Sequence, residues 1–152
     1  MNEGNAWPRP VDVLPHRDAM LLIDTVIEVD DNHAVCQAVA QPNWPTARPQ
    51  GVSSLLAIEL VAQTVGVCNV WGLMRIHGEK ANKSGWLVAI KKAVFHVDTI
   101  HFHDKLIIRA ENGFSYDMFR EATGRVYHND QLIAEIVIQI YQAKDQPQTA
   151  NP

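Results

Sequence analysis

Glu59 is the one carboxylate in the long apolar run from Leu55 to Ile76, and Gln63 follows it by four residues. On a helix that spacing puts both side chains on one face. A carboxylate in such a run has few chances to reach water. Burial favours the neutral carboxyl, which can then act as an acid near pH 7. His16, in Leu14-Pro15-His16-Arg17, is the first candidate for a base, because imidazole exchanges protons in the same range. Its commoner role in such a setting is to brace the chain by hydrogen bonds. His96, His101 and His103, with Asp104, are of metal-ligand type. His101 and His103 can share a strand face. A solvated strand end and turn explains them more simply, and no metal or organic cofactor is expected.

These residues need elements to hold them. Ser53 or Ser54 can cap a helix from about Leu55. That helix runs to about His77, and Gly78 stops it. Residues 1–15 are Pro-rich and read as irregular. Met20 to Val29 is rich in β-branched residues and predicts a strand. Asp30-Asp31-Asn32 is a turn, and His33 to Gln41 alternates as a second strand. Pro42 to Gly51 reads as a loop, and Gly78 to Ser84 as a polar one. Trp86 to Val97, Asp104 to Glu111, Phe114 to His128 and Leu132 to Gln142 predict four more strands. Asn129-Asp130 marks a hairpin. Strands joined by short turns favour an antiparallel sheet, and a sheet curled round the helix would bury it. Sheet edges left open favour a dimer. Trp44, Trp71, Trp86 and Phe95 read as core.

The chain has 152 residues, 47% of them hydrophobic, which suits one domain. The domain is expected to span 1–152, with a core of about 11–142 and a polar tail over 143–152. A net charge of −4 argues against bulk nucleic-acid binding. Cys36 and Cys68 lie in apolar contexts and read as reduced core thiols of a cytoplasmic protein. The Leu55–Ile76 run is long enough for a membrane span. Glu59, Gln63, Asn69 and Arg75 interrupt it, so a central helix is expected instead.

Three motifs in order carry a resemblance. They are Leu14-Pro-His-Arg-Asp-Ala-Met-Leu-Leu-Ile-Asp24, Ile58-Glu-Leu-Val-Ala-Gln63, and Trp86-Leu-Val-Ala-Ile-Lys-Lys-Ala-Val-Phe-His-Val97 followed by His103-Asp104-Lys-Leu106. Over about residues 11–141 the chain resembles the hot-dog 3-hydroxyacyl-acyl-carrier-protein dehydratases. The resemblance implies an α+β hot-dog fold, an antiparallel sheet wrapped around one long central helix, as a dimer. It also implies dehydration of acyl thioesters in fatty-acid or polyene biosynthesis. Glu59 would then handle the leaving hydroxyl, and N–H groups near Ser54 and Leu55 would hold the thioester carbonyl. Asn43, Ser53, Ser54, Gln63, Leu87 and Ala89 would contact substrate. The partner would be an acyl carrier protein, docked by basic residues such as Lys91, Lys92, Lys80, Lys83, Arg109, Arg120 and Arg125.

One departure matters. The dehydratases carry His-Phe-Pro-Gly before the helix, and its histidine is the base. Here the stretch is Asn43-Trp-Pro-Thr46, and an amide cannot take a proton at neutral pH. The pattern is closer to a divergent branch associated with aryl-polyene biosynthesis. Two further readings stay open: a non-catalytic subunit that completes a heterodimer with an active dehydratase, and a hot-dog thioesterase in which Glu59 activates water.

Overall fold

The computed structural model describes residues 6–78 and 85–142. The expected loop at 79–84 and the expected tail at 143–152 lie outside the described residues. The N-terminal segment is not wholly irregular. It contains one helical turn, α1 (Pro10–Val13). Pro10 suits the start of a helix, where its missing N–H would have no partner. Arg9 Nε pairs with Asp12 at 2.9 Å beside it. Val13 and Leu14 then enter the core, and Trp7 packs edge-on against Trp71.

Strand β1 (Thr25–Val29) begins later than the β-branched run predicts. Asp18–Met20 forms a tight 3₁₀ turn. The stretch after it is bound to a side chain, not to a neighbouring strand. Gln63 Nε2 donates to the Met20 carbonyl at 2.8 Å, and the Leu22 N–H donates to Gln63 Oε1 at 3.0 Å. Buried backbone groups need partners, and here a helix side chain supplies them.

β1 pairs with β2 (His33–Val39) across the expected turn. Asp30 Oδ1 closes that turn by accepting the Asn32 and His33 N–H groups, each at 2.8 Å. A short strand, β3 (Gly51–Ser53), follows and pairs with β5 (Thr99–His101). Then comes the central helix, α2 (Leu56–His77), close to the expected range. Gly78 ends it at φ 63, with its N–H on the Met74 carbonyl. The N-terminal cap differs from expectation. Leu55 is the cap residue and gives no side-chain bond. Ser53 Oγ accepts the Leu55 N–H at 3.3 Å, one step ahead of the helix.

After α2 come β4 (Gly85–Phe95), β5, β6 (Lys105–Tyr116), β7 (Phe119–His128) and β8 (Gln131–Gln142). Six of the strands form one antiparallel sheet in the order β1-β2-β6-β7-β8-β4. The turn between β6 and β7 falls at Asp117-Met118, not near residue 112 as the sequence suggests. Asn112-Gly113 instead marks an irregularity in register, between Asn112 and Ser115. The β7–β8 hairpin is where it was expected. Asn129 and Asp130 both take positive φ, 48° and 63°, as a tight two-residue turn requires.

Helix α2 packs on the sheet, mainly against β6, β2 and β7. Leu60, Val61, Ile108, Ile136 and Ile138 are fully buried there. Gly124 makes this contact possible, because a Cβ on it would sit 2.3 Å from Val61 Cγ1. By length and composition α2 is apolar enough to cross a membrane, yet 61% of its most apolar window is buried inside the fold. Its apolar character reflects packing inside the fold over most of its length. Strand β4 is less well covered. It is an edge strand, and Trp86, Leu87, Val88 and Ile90 are all exposed on it.

Candidate active site

The extended Leu14-Pro15-His16 segment lies beside the first half of α2, close to the start of β4. Together they enclose a cavity of about 250 Å³, with His16, Glu59, Gly66, Asn69, Trp86 and Leu87 in its walls. His16 Nε2 is 3.1 Å from Glu59 Oε1. Gln63 Nε2 donates to the same oxygen at 2.9 Å. Both polar neighbours of Glu59 therefore converge on Oε1. Oε2 has no hydrogen-bond partner among the described residues. Gln63 is 1% exposed, so its three bonds lock it in place. It is the hub that ties the His16 segment, the helix and Glu59 into one unit.

Glu59 is less enclosed than the apolar run suggests. Its side chain is 31% exposed and that of His16 is 30% exposed. The cavity keeps both accessible. The bracing expected of His16 is carried by its neighbour: Arg17 Nη1 donates to the Leu14 and His16 carbonyls, each at 2.7 Å. His16 Nδ1 is buried and has no hydrogen-bond partner among the described residues.

The structure therefore brings together Glu59, His16, Gln63 and Leu87. The other expected residues stand apart. Asn43 is exposed on the loop between β2 and β3, outside the cavity wall. Ser53 and Ser54 are buried at the entrance to α2. The N–H groups proposed to hold a carbonyl are already engaged: Ser54 N–H donates to the Asp98 carbonyl at 3.1 Å, and Leu55 N–H to Ser53 Oγ. Ala89 sits on β4 opposite Gln139 and does not reach the cavity. Trp86, expected in the core, is 53% exposed and lines the cavity instead.

The basic residues of β4 have acidic neighbours. Lys92 Nζ lies 2.7 Å from Glu135, which Arg125 also approaches at 3.2 Å, and Lys91 lies 4.0 Å from Glu121. The bonds from Lys92 and then Arg125 hold the Glu135 carboxyl below its ordinary pKa. Lys80 and Lys83 lie outside the described residues. Among the described residues no three His, Cys, Asp or Glu side chains form a metal-binding group.

Sequence reasoning missed Gly66 and Asn69 as cavity residues. The signal was present: with Glu59 and Ala62 they follow spacings of three and four along one helix stripe.

A six-stranded antiparallel sheet folded over one long helix defines a hot-dog protein. The family model described as ApeP-like, ApeP dehydratase, matches residues 8–151, and the chain belongs to that family. It is 26% identical over 138 residues to the 3-hydroxyacyl-acyl-carrier-protein dehydratase FabZ of Rickettsia bellii (strain RML369-C), covering 83% of this chain and 92% of that one. To the FabZ of Rickettsia akari (strain Hartford) it is 32% identical over 106 residues, covering 61% and 69%. Among solved structures, the dehydratase heterocomplex ApeI:P from Xenorhabdus doucetiae superposes with a TM-score of 0.80 at 22% identity, over 91% of this chain and 93% of that one. A hypothetical thioesterase protein with coenzyme A from Streptococcus pneumoniae TIGR4 superposes at 0.61 and 9% identity, over 77% and 83%. These structural likenesses concern the fold.

Proposed function

We propose that this chain is a 3-hydroxyacyl thioester dehydratase subunit, acting in the cytoplasm on chains carried by an acyl carrier protein. The observation that carries the reading is the convergence of His16 and Gln63 on Glu59 Oε1 at a cavity wall. It leaves Oε2 for substrate. In dehydration a base takes the proton from the α-carbon, and its electrons form the new double bond. The C3–O bond breaks, and the departing hydroxyl takes a proton from an acid and leaves as water. Glu59 supplies that proton from Oε2. Gln63 and His16 hold the carboxyl in place and act as positioning residues.

The base comes from a second hot-dog subunit. Two observations favour this over a self-sufficient enzyme. By the resemblance Asn43 takes the place of the usual histidine, and it is exposed outside the cavity wall. In His16, Nε2 is already engaged with Glu59 and Nδ1 is buried. The exposed apolar edge of β4 is a surface on which such a subunit would pair.

The test is product mass. The protein is incubated with 3-hydroxyacyl carrier protein, together with a hot-dog subunit that bears a histidine base. Loss of one water from the acyl chain is the expected result. Release of the free acid would establish a thioesterase instead, with Glu59 activating water.

A further inference from the structure

Asn69 is an oddity on α2. It is 8% exposed, in a stretch otherwise occupied by Val65, Val67, Cys68 and Val70. Its Oδ1 accepts two donors, Asn112 Nδ2 at 2.8 Å and Arg120 Nη1 at 2.9 Å. These fix the orientation of the amide. Its Nδ2 has no hydrogen-bond partner among the described residues.

Its position gives this a consequence. Glu59, Ala62, Gly66 and Asn69 form one stripe along the cavity wall. From Glu59 to Asn69 the helix rises about 15 Å. Ala62 and Gly66 are small, and Leu14 packs over Gly66, where a Cβ would come within 3.0 Å of its Cδ2. Beyond Asn69 lies a second cavity of about 390 Å³, lined by Gly72, Arg75, Ile76 and Arg120. Asn69 and Gln142 belong to the walls of both cavities. A Cβ on Gly72 would meet nothing within 4 Å, so the space beyond is open.

We propose that Asn69, oriented by Asn112 and Arg120, is the specificity-determining residue that sets the longest acyl chain the cavity takes. An apolar tail that reaches it displaces water from an amide it cannot bond, and a buried unpaired amide is costly. The same side chain, with Gln142, forms part of the wall shared with the second cavity. Shorter chains gain from each methylene they bury and never meet it. The inference rests on the acyl-thioester reading given above.

The probe is a series of saturated acyl pantetheine amides that differ by one methylene, with binding to the purified protein measured by calorimetry. An amide in place of the thioester, without a 3-hydroxyl, reports binding and no turnover. Wild-type affinity rises about fourfold per methylene, then levels off once the chain reaches Asn69. In Asn69→Ala the rise per methylene continues through longer chains. Asn69→Ser keeps an oxygen for Arg120 and extends the range in the same direction, which covers poor folding of the alanine variant. If all three proteins level off at the same length, the inference is overturned and the acyl-thioester reading stands. A wild type that binds no member of the series overturns both.

Discussion

The His16 imidazole and the Glu59 carboxylate approach to 3.1 Å, one carried by the segment before β1 and the other by the start of α2. Gln63 makes the meeting possible. It binds Glu59 and, on the same amide, the Met20 carbonyl and the Leu22 N–H of the chain just after His16. Site and fold thus share one buried side chain.

Replacing that hub should separate the two. Gln63→Leu keeps roughly the volume, strands the buried Leu22 N–H and takes the donor from the part-buried Met20 carbonyl. We expect a loss of about 1–3 kcal/mol, or on the order of 2–10 °C in melting temperature for a domain of this size. A variant that melts like the wild type would show that the segment around Met20 is held by other contacts.

How much of this was legible beforehand differs from residue to residue. The i to i+4 relation of Glu59 and Gln63 follows from helix geometry alone, and Asn129-Asp130 has the chemistry of a hairpin turn. The meeting of His16 with Glu59 joins segments far apart in sequence, and no periodicity encodes that. Asn112-Gly113 has a turn-like composition but falls inside β6, whereas the real turn at Asp117-Met118 carries a weaker signal. The N–H groups of Ser54 and Leu55 looked free because helix starts leave such groups unpaired. Asp98 and Ser53 take them up, and only the tertiary structure shows it.

The contact of helix and sheet gives a second test. Gly124→Ala would place a methyl group against Val61, and overpacking of this kind costs about 1–3 kcal/mol. Denaturant unfolding measures it. The double variant with Val61→Ala should recover part of the loss, because the clash is removed. No destabilisation in the single variant would mean that α2 sits farther from the sheet.

The β1–β2 turn should respond to pH. His33 Nε2 lies 2.8 Å from Glu28, and Nδ1 lies 2.6 Å from Asp30. Burial opposes the imidazolium charge, but the Glu28 hydrogen bond and the Asp30 charge outweigh it and raise the His33 pKa. The Asn32 N–H and then the His33 N–H hold Asp30 below its ordinary value. A raised histidine stabilises fully below its unfolded pKa, about 6.5, and loses this as pH rises through the folded value. A lowered aspartate stabilises above about pH 3.9 and loses this as pH falls through its folded value. The turn is therefore firmest between about pH 4 and 6.5. The melting temperature should decline above that window, and His33→Gln should flatten the decline. Equal slopes in both proteins would count against this pairing.

The most direct measurement of the central claim is a mixing experiment. The protein is combined with a hot-dog dehydratase subunit that keeps its histidine base but has lost its own helix carboxylate, so that Glu59 is the acid on offer. Wild-type protein should restore the dehydration of 3-hydroxyacyl carrier protein. Glu59→Gln, folded and still bound to the second subunit, should fall short by about 10²–10⁴-fold, the usual worth of general acid–base catalysis. Equal rates with wild type and Glu59→Gln would contradict the account and leave this chain a structural partner. Fast dehydration by the wild type alone, abolished by His16→Ala, would also contradict it and make His16 the base.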